Sequence, residues 1–165
     1  IFRMGDGSFS DISGWKGVTI NENKEVTKIT WAPRNPFQNP TRYVPKDPIE
    51  RIKACMPTPK AGGSIDFKWL PPKQKKAAIF KMNLRGTINT WVLPRDLDEE
   101  FDVENNCLEG SFDTAGLPRW LFSCEISHNQ LSGSLDFTAL PPRMRTFDAE
   151  NNSFSAYQME GRLSV

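Results

Sequence analysis

The chain has 165 residues, of which 38% are hydrophobic and 25% charged, and its net charge is +1. That length accommodates one sizeable core, and the near-neutral balance gives no general attraction to nucleic acid or to an anionic membrane surface. No run of about 18 apolar residues occurs, so no membrane-spanning helix is expected, and thirteen prolines with eleven glycines suit a turn-rich fold.

In chain order, Ile1 to Gly14 is polar and glycine-rich. Asp6 and Asp11 flank Gly7 and Ser8 without the ligand spacing of a calcium loop, so a solvated loop is expected there. A start at Ile1 fits either removal of a targeting segment or residues not captured. Next come Trp15-Lys16-Gly17-Val18-Thr19-Ile20 and Glu25-Val26-Thr27-Lys28-Ile29-Thr30-Trp31, two apolar stretches joined by a turn at Asn21, Glu22, Asn23 and Lys24. Prolines 33, 36, 40, 45 and 48 then preclude a regular helix.

From Gly63 onward one phrase recurs: Gly63-Ser64-Ile65-Asp66, Gly86-Thr87-Ile88-Asn89, Gly110-Ser111-Phe112-Asp113 and Gly133-Ser134-Leu135-Asp136. Each is followed by a Leu-Pro pair, at Leu70, Leu93, Leu117 and Leu140, and the glycines are spaced by 23, 24 and 23 residues. The second half of each unit places apolar residues ahead of an asparagine: Phe101 and Val103 before Asn106, Leu121, Cys124 and Ile126 before Asn129, Met144, Phe147 and Ala149 before Asn152. A fixed period in this range predicts stacked turns that bury one continuous core between them. Alternation in Phe147-Asp148-Ala149 predicts a strand with Asp148 outward, and the prolines predict an extended, turn-like connection with little helix.

These motifs resemble the leucine-rich repeat family, in the form L-x-x-L-x-L-x-x-N-x-L-x-G, with repeats of the plant and protist type. Residues 1–31 resemble the amino-terminal cap and first strand of that family, with Ile20 where the family carries a cysteine. Residues 32–62 form an irregular proline-rich loop and a degenerate repeat at Ile49-Glu50-Arg51-Ile52-Lys53-Ala54, with Pro57 in place of the asparagine. Residues 63–156 carry the regular repeats and 157–165 a short carboxyl-terminal end. The resemblance implies a β-rich leucine-rich repeat solenoid, with short parallel strands on a concave face and a turn-like convex side. It also implies a structural ladder of Asn106, Asn129 and Asn152, an inward amide being costly unless it meets backbone donors and acceptors at the turns. In the turn that begins with Gln74, Ala77 and Ile79, Met82 stands at the asparagine position and breaks the ladder.

The outward strand positions on the concave face then carry Arg51, Lys53, Lys75, Lys76 and Lys81 in the early turns. Glu100, Asp102, Glu104, Glu125, Asp148 and Glu150 follow in the later ones. A bipolar face is expected, basic and then acidic. One reading is that these are only solvated strand residues; against it, like charges opposite one another on neighbouring strands repel by ~0.2–1 kcal/mol each, and the column Asp102, Glu125, Asp148 is more easily understood if something basic meets it.

No catalytic, cofactor or metal site is expected. His128 is the sole histidine, next to Asn129 at a strand end, and there is no C-x-x-C pair. Cys124 falls at an inward position as a buried thiol, with Cys55 and Cys107 at turn edges in different units. The basic cluster Lys73, Lys75 and Lys76 is opposed by the acidic half, so nucleic acid is not expected. Trp69, Trp91 and Trp120 are expected to fill or shield the convex arc, and Asn151-Asn152-Ser153 matches a glycosylation acceptor short enough to arise by chance.

The expected function is a non-catalytic protein-binding or scaffold module, an accessory subunit of a larger assembly in the cytosol or an organelle. Its partners are other protein subunits, with room for peripheral attachment to a membrane complex. The alternative is a ligand-recognition ectodomain or a fragment of a receptor-like protein.

Overall fold

The computed structural model describes residues 15–32, 62–159 and 162–164. The first strands, β1 (Val18–Ile20) and β2 (Val26–Trp31), form an antiparallel hairpin. Its turn is the expected one: the Asn21 amide donates to the Glu25 carbonyl, the Lys24 amide donates to the Asn21 carbonyl, and Lys24 adopts a left-handed φ of 61°. Gly17 is required where it stands, since at its φ of 80° a Cβ would come within 2.1 Å of the Thr30 carbonyl oxygen.

Beyond the hairpin the chain alternates between two sheets. β4 (Lys76–Ile79), β6 (Glu100–Asp102), β8 (Ser123–Glu125) and β10 (Thr146–Asp148) join β1 and β2 in a first sheet ordered β1-β2-β4-β6-β8-β10. β3 (Gly63–Ser64), β5 (Leu84–Thr87), β7 (Cys107–Ser111), β9 (Gln130–Asp136), β11 (Ser153–Met159) and β12 (Arg162–Ser164) form a second sheet ordered β12-β11-β9-β7-β5-β3. Pairing is parallel throughout, apart from the β1–β2 and β11–β12 hairpins at the ends. Each unit therefore gives one strand to each sheet. The repeat arithmetic anticipated only the first of them.

The core lies between the sheets. Phe101, Val103, Leu121, Cys124 and Ile126 come inward from the first sheet and its approaches, while Leu108, Phe112, Leu131 and Leu135 come from the second; all are at most 2% exposed. Phe67 and Phe101 meet edge-on with centroids 5.4 Å apart, tying consecutive turns together. Cys124 is a buried thiol whose pKa is pushed up by that burial. Cys107 is half-buried and its Sγ donates to the Asn83 side chain, while Cys55 lies outside the described residues.

The returns between the sheets explain the Asp or Asn of each phrase. Asp66, Asn89, Asp113 and Asp136 each accept a hydrogen bond from the amide two residues ahead, at Lys68, Trp91, Ala115 and Thr138. They cap three-residue 3-10 turns at Phe67–Trp69, Thr90–Val92, Thr114–Gly116 and Phe137–Ala139. Apart from these turns no helix occurs among the described residues, and none is long and apolar enough to cross a membrane.

The asparagine ladder forms as expected. The Asn129 Oδ1 accepts from the Leu108 amide, and its Nδ2 donates to the carbonyls of Val103, Ile126 and Ser127. Asn152 repeats this against Leu131 and Ile126, and Asn106 closes the early end by accepting from both Met82 and Leu84. Met82 packs half-buried against the smaller apolar cluster of Val26, Ile29 and Ile79. At the residue before each ladder position the backbone is left-handed, with φ near 55° at Lys81, Asn105, His128 and Asn151.

β2 pairs directly with β4, Ile29 opposite Ala77; Ile49–Ala54, with Arg51 and Lys53, lies outside the described residues. The three tryptophans do not fill the core: Trp69 is 79% exposed, Trp91 59% and Trp120 50%. Trp69 and Trp91 sit on the 3-10 turns, where the inward positions are taken by Phe67 and Thr90. Trp120 lies beyond Leu117 and Pro118, on the approach to β8.

Candidate protein-binding face

Parallel pairing brings side chains one unit apart into columns across the outer face of the first sheet. Ala78, Asp102, Glu125 and Asp148 are direct partners on consecutive strands, about 4.8 Å apart. Lys76, Glu100, Ser123 and Thr146 form the column beside it.

Of the basic half predicted from the sequence, Lys75, Lys76 and Lys81 are described and each is already ion-paired, while Arg51 and Lys53 lie outside the described residues. Lys76 bonds Glu100 at 2.6 Å, Lys75 bonds Asp98 at 3.1 Å, Lys73 bonds Asp96 at 3.1 Å, Lys81 bonds Glu104 at 3.3 Å and Lys28 bonds Glu99 at 2.7 Å. Five lysines thus meet five carboxylates of the following turns, one to one. Pairs this exposed contribute little stability each, about 0–1 kcal/mol. Their consequence for the surface is larger, because a bipolar face becomes a paired half followed by an acidic one. Among the described residues no cation reaches Asp102, Glu125, Asp148 or Glu150 within salt-bridge distance.

Three of these four carboxylates are held rather than loose. Asp102 accepts from the Glu104 amide and Asp148 from the Glu150 amide, and Glu125 accepts from the Ser123 hydroxyl. Asp102 departs from the sequence reading in being buried, at 6% exposure, between Ala78 and Glu125. Burial, followed by the charges of Glu125, Glu104 and Glu100, raises its pKa from 3.8 to about 6, although the Glu104 amide opposes the shift.

At the flank of the same face two further columns run side by side. Lys73, Asp96, Trp120 and Arg143 stand 23, 24 and 23 residues apart, and so do Lys75, Asp98, Phe122 and Arg145. Backbone hydrogen bonds from the Phe122 amide to the Asp98 carbonyl and from the Arg145 amide to the Phe122 carbonyl confirm the second alignment. Here an open groove of about 730 Å³ is lined on its early side by Asp98, Glu99 and Glu100 and on its later side by Trp120, Phe122 and Arg143. The guanidinium carbons of Arg119 and Arg143 lie 5.6 and 5.8 Å from the Trp120 ring centroid. Sequence reasoning passed over Phe122, Arg143 and Arg145, although the same 23- and 24-residue steps locate them.

His128 is exposed, with its Nε2 3.0 Å from the Asn151 amide nitrogen. Among the described residues no group of three or more histidine, cysteine, aspartate or glutamate side chains is placed to hold a metal ion.

No protein-family model matches the chain. No curated protein matches it either. Among solved structures it is similar to a chain of the BIR3–SERK2 complex from Arabidopsis thaliana, with a TM-score of 0.59 and 19% identity over 88% of this chain and 68% of that one. A plant ice-binding protein also aligns, at 14% identity over 92% of this chain and 72% of that one, but its TM-score of 0.36 carries no argument about fold. The likeness to the Arabidopsis chain is one of fold alone.

Proposed function

We propose that the chain is a leucine-rich repeat solenoid whose first sheet is the concave face, and that it is a non-catalytic protein-binding module serving as an accessory subunit of a larger intracellular assembly. The observation that carries this reading is the charge remaining after internal pairing. Asp102, Glu125 and Asp148 are held in register on adjacent strands with Glu150 beside them, without a cation of their own among the described residues. A column of like charge on adjacent strands repels itself, and a basic protein surface relieves that repulsion on binding. The Arabidopsis chain similar to it in fold was itself crystallised in a complex of proteins, which fits the same role.

The test is retention of partners by the immobilised chain from a gentle extract of its source, against a variant carrying Glu125→Lys and Asp148→Lys. Both sites are on the sheet surface rather than in the core, so the variant keeps the fold. The reading expects specific proteins on the native chain and their loss on charge reversal. The same proteins retained equally by both forms overturn it.

The second reading is a ligand-recognition ectodomain. The observation in its favour is the exposure of Asn151, the first residue of Asn151-Asn152-Ser153.

A further inference from the structure

The two flank columns carry the same order of chemistry across four turns: lysine, aspartate, aromatic ring, arginine. In each, the first two members are ion-paired, Lys73 with Asp96 and Lys75 with the Oδ2 of Asp98, whose Oδ1 is buried without a hydrogen-bond partner. The last two have no such pairing. Trp120 and Phe122 are each half exposed, and among the described residues neither Arg143 nor Arg145 has a carboxylate within salt-bridge distance. Arg119 adds a third guanidinium at the Trp120 ring. The two columns thus end in a patch of exposed rings and unpaired arginines bordering a groove of about 730 Å³.

We infer that this groove docks an acidic segment of a partner protein, with an apolar side chain seated against Trp120 and Phe122 and carboxylates meeting Arg143, Arg145 and Arg119. Charge complementarity selects that occupant. The carboxylates on the opposite wall, Asp98, Glu99 and Glu100, are each already bonded to a lysine, so the unsatisfied charge bordering the rings is cationic. Guanidinium groups receive carboxylates through paired, directional hydrogen bonds, and tryptophan and arginine dominate the energetic centres of protein interfaces. The Arg119 and Arg143 guanidinia already rest against the Trp120 ring, so less side-chain freedom remains to be lost on docking. Binding here is separate from the acidic column: a partner that crosses the whole face carries basic residues over Asp102, Glu125 and Asp148 and an acidic, apolar segment at the flank.

The experiment is fluorescence anisotropy of three labelled twelve-residue peptides with the purified chain at low salt. The first carries glutamates around a central phenylalanine, the second replaces every glutamate by lysine, and the third replaces only the phenylalanine by serine. The expected result is a Kd of about 10–100 μM for the first peptide, with at least tenfold weaker binding for the other two. Arg143→Glu with Arg145→Glu is expected to abolish binding and Trp120→Ala to weaken it about tenfold, while Glu109→Lys on the second sheet leaves it intact. Because the altered side chains are exposed, an unchanged thermal midpoint verifies folding; Phe122→Ser and Arg143→Gln serve where one of the first variants fails that check. No binding of the first peptide, preference for the lysine peptide, or binding indifferent to the patch variants overturns the proposal. The probe is a peptide and the variants lie off the acidic column, so this result stands apart from that of the capture experiment.

Discussion

Replacing Asn129 by alanine is expected to destabilise the chain by about 1–3 kcal/mol, although no apolar contact is lost. Asn129 is 9% exposed, and a single amide there satisfies four backbone groups across two turns: the Leu108 amide and the carbonyls of Val103, Ile126 and Ser127. Alanine leaves the Leu108 amide without an acceptor, while the carbonyls of Val103, Ile126 and Ser127 keep the Asn106 Nδ2, the Asn152 Nδ2 and the Asn105 amide; a buried unsatisfied donor costs about 1–3 kcal/mol. Leu108 is 1% exposed, which leaves water little access to its amide. Urea titration checks this, with a lower midpoint at an unchanged slope as the expected result. A loss below about 1 kcal/mol would mean that the turns hold without their ladder. The same change at Asn152, which is only half-buried at the last turn, is expected to cost less, since the carbonyls that it meets at half-buried Ala149 and exposed Glu150 lie within reach of water.

Asp102→Asn is expected to act in the opposite direction, stabilising the chain above neutral pH. The direction follows from the raised pKa. With an ordinary value of 3.8 and a folded value of about 6, the folded chain holds the Asp102 proton more tightly than the unfolded one. Stability supplied by this group is therefore present at low pH and lost as pH rises from about 4 through about 6. A rise of that size corresponds to roughly 3 kcal/mol, and partial solvent screening at the sheet surface lowers the expected effect to about 1–2 kcal/mol. Asparagine keeps the oxygen that accepts from the Glu104 amide while removing the charge from beside Glu125. Unfolding free energies at pH 4.5 and pH 8 compared between the two forms should differ more at pH 8, with the variant the more stable. An identical pH dependence in both would show that Asp102 carries no unfavourable charge.

Much of this architecture is legible in the sequence because a repeat declares itself. The glycine steps and the asparagines at 106, 129 and 152 specify where apolar residues must point, and the hairpin turn at Asn21–Lys24 follows from its residue types. Less legible was the second sheet. Its strands run through Gly86, Gly110 and Gly133, residues that as punctuation suggest a turn, whereas here they pair in parallel with the neighbouring unit. At the face, the identities of the carboxylates were readable and their net effect was not. Whether Lys76 offers its charge to a partner or spends it on Glu100 depends on a register that only three-dimensional pairing fixes. The burial of Asp102 follows from crowding by its neighbours, which period-two alternation does not encode.

The claim that the acidic column is the contact surface is tested most directly by carboxylate footprinting of the chain with and without the protein it retains. Carbodiimide labelling followed by mass spectrometry reads each acidic residue separately. The account predicts that bound partner protects Glu125, Asp148 and Glu150, while Glu109 on the second sheet and Asp113 at the return beyond it stay fully reactive. Protection at Glu109 and Asp113 with Glu125 and Asp148 unchanged would place the partner on the opposite sheet and contradict the account.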